Sequence, residues 1–215
     1  TSASPIGGDE LRVEMSVGDG ASLSVHSTSA TLARAAARPI DSHIDISAIV
    51  GKGGGLRWSP EPTVAAAGSS HRSTAHVVMH PDSWLVWSEA ITLGRFNEDW
   101  GSLSSQLRVD IGGRPRIVSS LEVGPAYPAW SSSAVMNEAR SVCSVVIIDE
   151  RFDNIDSSVQ SDTSLILPLR GGGIQLMSWG DSILECMTEL LSIANHRTLR
   201  ACRERCLGFI FEQVN

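Results

Sequence analysis

From residue 9 to about 123, apolar and polar positions alternate with a period of two, and Gly-bearing turns interrupt the alternation. That pattern predicts successive half-buried β-strands. ELRVEMSV (10–17) sets Leu11, Val13, Met15 and Val17 on one face and Glu10, Arg12 and Glu14 on the other. GDGA (18–21) turns the chain into SLSVHST, and HIDISAIV puts Ile44, Ile46, Ala48 and Val50 on a common face. After the flexible break GKGGG come LRWSPEPTVAAAG, STAHVVMH (73–80), WLVWSEAITLG (84–94), SSQLRVDI (104–111) and RIVSSLEV (116–123). The two prolines of the SPEP stretch fit a sheet edge or a bend. Turns at short intervals with no helical period between them predict an all-β architecture, here read as a meander.

Past residue 124 the pattern changes. GPAYPAWSSS reads as a loop, VCSVVIID (142–149) as a buried strand, ERFDNIDSSVQSDTS as an exposed polar stretch, and LILPLRGGGIQLMSWG as two short strands. A helical period then takes over. Ile183, Leu184, Met187, Leu190, Leu191 and Ala194 fall on one helix face, and Ser182 with Glu185 makes a capping-box start. A helical tail over 181–213, of one or two helices, is expected at the end of a single domain covering 1–215.

Composition narrows the class. With 215 residues, 42% of them hydrophobic, the chain can bury a substantial core. A net charge of −7 argues against nucleic acid or an anionic membrane as the main partner. The four cysteines at 143, 186, 202 and 206 are too few and too irregular for a disulfide scaffold, and no apolar run is long enough to span a bilayer. A reducing, cytoplasmic setting is the expectation. Thr1 opens the chain in place of methionine, so a further N-terminal piece is expected.

Among candidate sites, Glu89 stands out. On its strand it shares a face with Leu85, Trp87, Ile91 and Leu93. An ionised carboxylate there is costly unless it is paired or hydrated. Two readings follow: a buried ion pair with Arg95, or a carboxylate lining an internal water-filled passage. His71, His76 and His80 invite a metal reading, but His76 and His80 share a strand side about 13 Å apart at ~3.3 Å per residue, too far for one metal ion, and a tight site is not expected. Cys202 and Cys206, near His196, fit core packing better than a zinc site, which takes four ligands. GDSI (180–183) resembles a serine-hydrolase nucleophile block, but no Asp-x-x-His follows it, and Ser182 serves more economically as a helix N-cap. Gly53–Gly55 and Gly171–Gly173 lack the Lys-Ser/Thr of a phosphate loop. No catalytic constellation assembles. The rivals to a scaffold are a hydrolase using Ser182 with His196, and a generic β-sheet binding module with tryptophans such as Trp84, Trp87 and Trp100 as stacking platforms.

The order of several blocks carries a resemblance. PIGGDELRVEMSVGDGASLSVHSTSATLARA, then LRWSPEPTVAAAG, then WSEAITLGRFNEDW resembles the UreD (also called UreH) family of urease accessory proteins. The matching positions are Gly7, Gly8 and Asp9; Gly20, Ala21 and the Ser27–Thr31 stretch; Trp58, Pro60, Glu61 and Pro62; and Glu89, Gly94 and Arg95. Residues 5–123 match best. The family's threonine-rich block is serine-rich here, and the C-terminal third departs most from the pattern.

The resemblance implies a β-helical stack of strands with a pair of helices and no catalysis of its own. It further implies binding to apo-urease, a companion accessory protein (UreF type) and a nickel-carrying GTPase (UreG type), with no tightly bound cofactor and nickel in transit through an internal channel. Glu89, Glu61, Asp9 and His76 become the channel-lining candidates, while Gly7, Gly8, Pro60, Gly94 and Arg95 become structural motif positions.

Overall fold

The computed structural model describes residues 5–149 and 161–194. Thirteen strands and one helix make up these segments, and the strands coil into a β-solenoid of about three turns. The first turn contains β1 (Glu10–Val17), β2 (Ser22–His26) and β3 (Thr31–Ala33). The second repeats it with β4 (Ser42–Val50), β5 (Gly55–Ser59) and β6 (Thr63–Ala65), and the third with β7 (Ser70–Met79) and β8 (Trp84–Leu93). The strand β9 (Ser102–Ile111) stacks on β7. Neighbouring rungs pair in parallel and in register, as in Val13↔Ile46↔Ala75. The expected strands and the β-helical stack that the family resemblance implies are therefore present, and the meander read from the turns alone is not. Along the chain, one strand of the first sheet alternates with one or two strands of the second, and each strand of the coil pairs with a strand one coil later.

Why the coil stops is local. Gly112 and Gly113, at φ +56 and +77, form a two-residue hairpin loop, a conformation suited to positive φ at both positions. The strand β10 (Arg114–Val123) folds back antiparallel on β9 and closes one sheet in the order β1-β4-β7-β9-β10. The second sheet is extended antiparallel by β11 (Ser141–Ile148), β13 (Ile174–Gly180) and β12 (Ser164–Pro168), in that order beyond β8.

Between the two sheets the inward side chains form two apolar clusters. Ile46, Val77, Leu85, Trp87, Val109 and Ile148 belong to one, and Ala65, Ile91, Leu93, Leu103, Val123 and Val142 to the other. A third cluster lies on the outer face of the second sheet, beneath α1 (Ile183–Ala194). Ser182 Oγ accepts from Glu185 N at 3.2 Å and the Glu185 carboxylate accepts from Asp181 N at 2.9 Å, so the helix begins as its capping pattern predicts. Of the expected face, Ile183, Met187, Leu190 and Leu191 pack on the sheet, joined by Cys186 and Ile193, whereas Leu184 is 62% exposed. The rest of the expected tail, with Cys202, Cys206 and His196, lies outside the described residues.

Candidate functional site

Most inward positions between the sheets are apolar, but one level is polar. Ser73 and Ser105 are register partners on the first sheet, and Glu89 and Ser144 are partners on the second. Ser105 Oγ donates to Glu89 Oε2 at 2.8 Å and Trp87 Nε1 donates to Oε1 at 3.3 Å. Gln175 Nε2 extends the belt to Ser144 at 3.1 Å and toward Ser119 at 3.4 Å. Glu89 is half-buried by accessible surface, with protein crowded around its carboxyl and cavity space on both faces of the sheet. That burial raises its carboxyl above the ordinary carboxylate range, and the Ser105 and Trp87 hydrogen bonds offset it only in part.

Two internal cavities meet at this carboxylate. One, about 80 Å³, is lined by Thr31, Thr63, His71, Ser73, Leu103 and Ser105 among others; the second, about 40 Å³, reaches Ser119, Ser144 and Gln175. A larger space of about 370 Å³ lies on the other face of the sheet, against α1. The spaces on the two faces share Pro60, Glu61, Glu89 and Ala90 as lining residues.

That shared wall is a break in the ladder. The strand β5 pairs with Trp84–Trp87 and β6 with Ile91–Leu93, so Ser88–Ala90 lack a ladder partner on that side. Pro60 and Pro62 have no N–H to donate, and the SPEP stretch bows out instead of bridging the gap. Glu61 is held at the break by its N–H, which donates to Ser27 Oγ at 2.8 Å. Trp58 stacks on Trp87 at 5.2 Å between ring centroids and forms the apolar floor beside the carboxylate.

The expected site residues separate into two groups. Glu89 and Glu61 line the same internal space. His76 does not. It stands on the outer face of the first sheet, where Nε2 meets Asp110 Oδ2 at 2.7 Å, because the strand's alternation turns His71 inward and His76 outward. Asp9 sits at the opening turn and accepts from Ile6 N at 2.9 Å, away from the cavities. The Glu89–Arg95 ion pair is absent: Arg95 lies beyond the end of β8 and pairs with Glu98 at 2.5 Å. Its guanidinium holds the Glu98 carboxyl down to about 2. Gly94 takes φ +71 in that turn, and Gly7 and Gly8 donate to Arg34 O and Asp41 O, tying the start of the chain to the next coil.

His71 drew only a metal reading, together with His76 and His80, and was not among the channel-lining candidates. It is 3% exposed, its Nδ1 lies 2.9 Å from Ser42 Oγ, and desolvation lowers its pKa to about 4. A neutral imidazole therefore faces the inner cavity at neutral pH. An unfolded chain would protonate it near 6.5, so the folded state gives up stability as pH falls from 6.5 toward 4. The expected loss is about 3 kcal/mol over that window, and His71→Gln is expected to abolish it in urea titrations at pH 7 and pH 4.5. Ser73, Ser105, Ser119 and Ser144 were also missed. The signal was serine at an inward position of an otherwise apolar alternation.

Among the described residues, no three His, Cys, Asp or Glu side chains gather to hold a metal ion, and no helix is long and apolar enough to cross a membrane. The arrangement offers hydroxyls, one carboxylate, one amide and one imidazole as successive weak contacts. Fold and site together define a β-solenoid body threaded by a polar belt. The family profile of UreD urease accessory proteins matches residues 1–206, and the chain belongs to that family. A urease accessory protein UreD 2 of Saccharopolyspora erythraea is 32% identical over 80% of this chain and 63% of its own length. UreD of Frankia casuarinae is 38% identical over 67% of this chain and 49% of its own, and UreD of Frankia alni 32% over 90% and 70%. The chain thus spans from about half to seven-tenths of the length of these relatives.

Proposed function

We propose that this protein is a non-catalytic scaffold of urease maturation that works in the cytoplasm, binds apo-urease, and acts with a UreF-type companion and a nickel-carrying UreG-type GTPase. Nickel(II) passes along the polar belt as cargo. The observation that carries this reading is Glu89, a carboxylate without a cationic partner among the described residues, set where the broken ladder brings the space under α1 against the interior. Nickel(II) accepts oxygen and imidazole donors, and transit calls for weak contacts in series rather than one closed site. Glu61 stands at the break, and Ser105, Ser144, Gln175 and His71 supply the further contacts.

The hydrolase alternative has lost its nucleophile's freedom, since Ser182 Oγ is occupied as a helix cap. Co-expression with apo-urease and the companion is expected to yield a co-purifying assembly. Absence of association with either protein overturns the scaffold reading. Within that assembly, Ser105→Ala is expected to lower urease activation at limiting nickel while leaving co-purification intact. The substitution removes one oxygen contact and further raises the carboxyl of Glu89.

A further inference from the structure

Two loops rise from one end of the solenoid: 94–101, joining β8 to β9, and 124–140, joining β10 to β11. They carry the only Phe and the only Tyr among the described residues, Phe96 and Tyr127, together with Trp100 and Trp130. Phe96 is 88% exposed and Val135 41%. All four non-glycine residues with positive φ among the described residues also lie here: Asn97, Ala129, Asn137 and Glu138. Backbone of this kind persists only where surrounding contacts impose it, and it gathers at functional surfaces.

The contacts that impose it are on view. Arg140 Nε donates to Leu93 O at 2.8 Å, and its Nη2 donates to Gly94 O at 2.9 Å and to Arg95 O. Trp100 meets Trp130 edge-on at 4.8 Å, locking one loop to the other. Arg95 and Glu98 close the first loop on itself. Between these contacts Phe96 stands out into solvent, the most exposed large hydrophobic side chain among the described residues. Rigid aromatic side chains on ordered loops bind at low entropic cost and are typical interface anchors.

We propose that this end of the solenoid is a protein-docking surface with Phe96 as its anchor, and that its occupant is apo-urease. The choice of occupant rests on the scaffold reading above and on two observations. The larger inner cavity runs from Glu89 to His71 and Leu103, near the starts of β7 and β9, the end from which the aromatic loops rise. A recipient of metal docks where the passage ends. Asp99 and Glu138, both exposed, take part in no ion pair among the described residues, so the rim is acidic and suits an apolar cleft bordered by Lys or Arg.

The test is binding of the purified full chain to immobilised apo-urease, compared among the parent, Phe96→Asp, Phe96→Leu and Val118→Asp. Phe96 is so exposed that its replacement leaves folding intact. Val118, 68% exposed on the outer face of the first sheet, controls for loss of general stickiness. Phe96→Asp is expected to weaken binding about tenfold or more, Phe96→Leu less, and Val118→Asp not at all. Unchanged affinity of Phe96→Asp for apo-urease overturns the proposal. So does an effect confined to the UreF-type companion or to self-association in sedimentation, since each assigns the surface to another occupant. If the parent chain itself does not bind apo-urease, the scaffold reading falls first and the surface assignment falls with it.

Discussion

Glu89→Gln is expected to make the protein more stable and less active at once. Burial raises the folded carboxyl above its ordinary value of 4.5, so between that value and the folded pKa the native state holds a proton that the unfolded chain has released. The stability this provides is complete below about 4.5 and is lost as pH rises through the folded pKa. Glutamine keeps the shape and hydrogen bonds and has no proton to lose. In urea titrations the variant is expected to match the parent at pH 4 and to exceed it increasingly as pH rises through the folded pKa of Glu89. Urease activation at limiting nickel is expected to fall, because an amide cannot offer the charge that a carboxylate gives a divalent cation. A pH-independent difference would show that the group is not the enclosed, unpaired carboxylate described. A salt-bridged Glu89 would have given the reverse stability effect, with the glutamine variant the weaker one.

A second large effect is expected at Gly124, where β10 ends and the aromatic loop begins. A Cβ there would lie 2.2 Å from Gly101 O and 2.7 Å from Ser102 Cα, both backbone atoms that cannot swing aside, and φ is +100. Gly124→Ala is expected to cost about 3–4 kcal/mol, seen as a fall in the urea midpoint. Gly113→Ala is the contrast. Its φ is +77 but open space surrounds it, so only the backbone cost of about 1 kcal/mol remains. Equal losses at the two positions would mean that the close approach of the two loop bases is not what the glycine serves.

The belt was only partly legible in the sequence. Glu89 could be singled out because a carboxylate in the row Leu85, Trp87, Ile91 and Leu93 breaks a hydrophobic alternation. Glu61 entered through the family resemblance alone, and its SPEP context gave no sign that the two prolines interrupt a ladder. His76 was mistaken for an inner residue, since alternation says which residues share a face but not which face meets the core. The Glu89–Arg95 pairing failed for a related reason. Six residues along a strand span roughly 20 Å, and the partner that reached the carboxylate was Ser105, on a different sheet.

By itself the sequence determined the strands, which residues share a face of each, the start of α1, the family, and the oddity of Glu89. Each of these follows from local periodicity or short motifs, which depend on steric and solvation preferences of neighbouring residues. The family resemblance implied the coil, but only the tertiary structure decided which strands pair from one coil to the next, and that four separated serines, a glutamine and a histidine line two cavities meeting at Glu89. Strand pairing is fixed by burial of both sheets' inner faces against each other, a property of the whole chain that no stretch of ten residues contains.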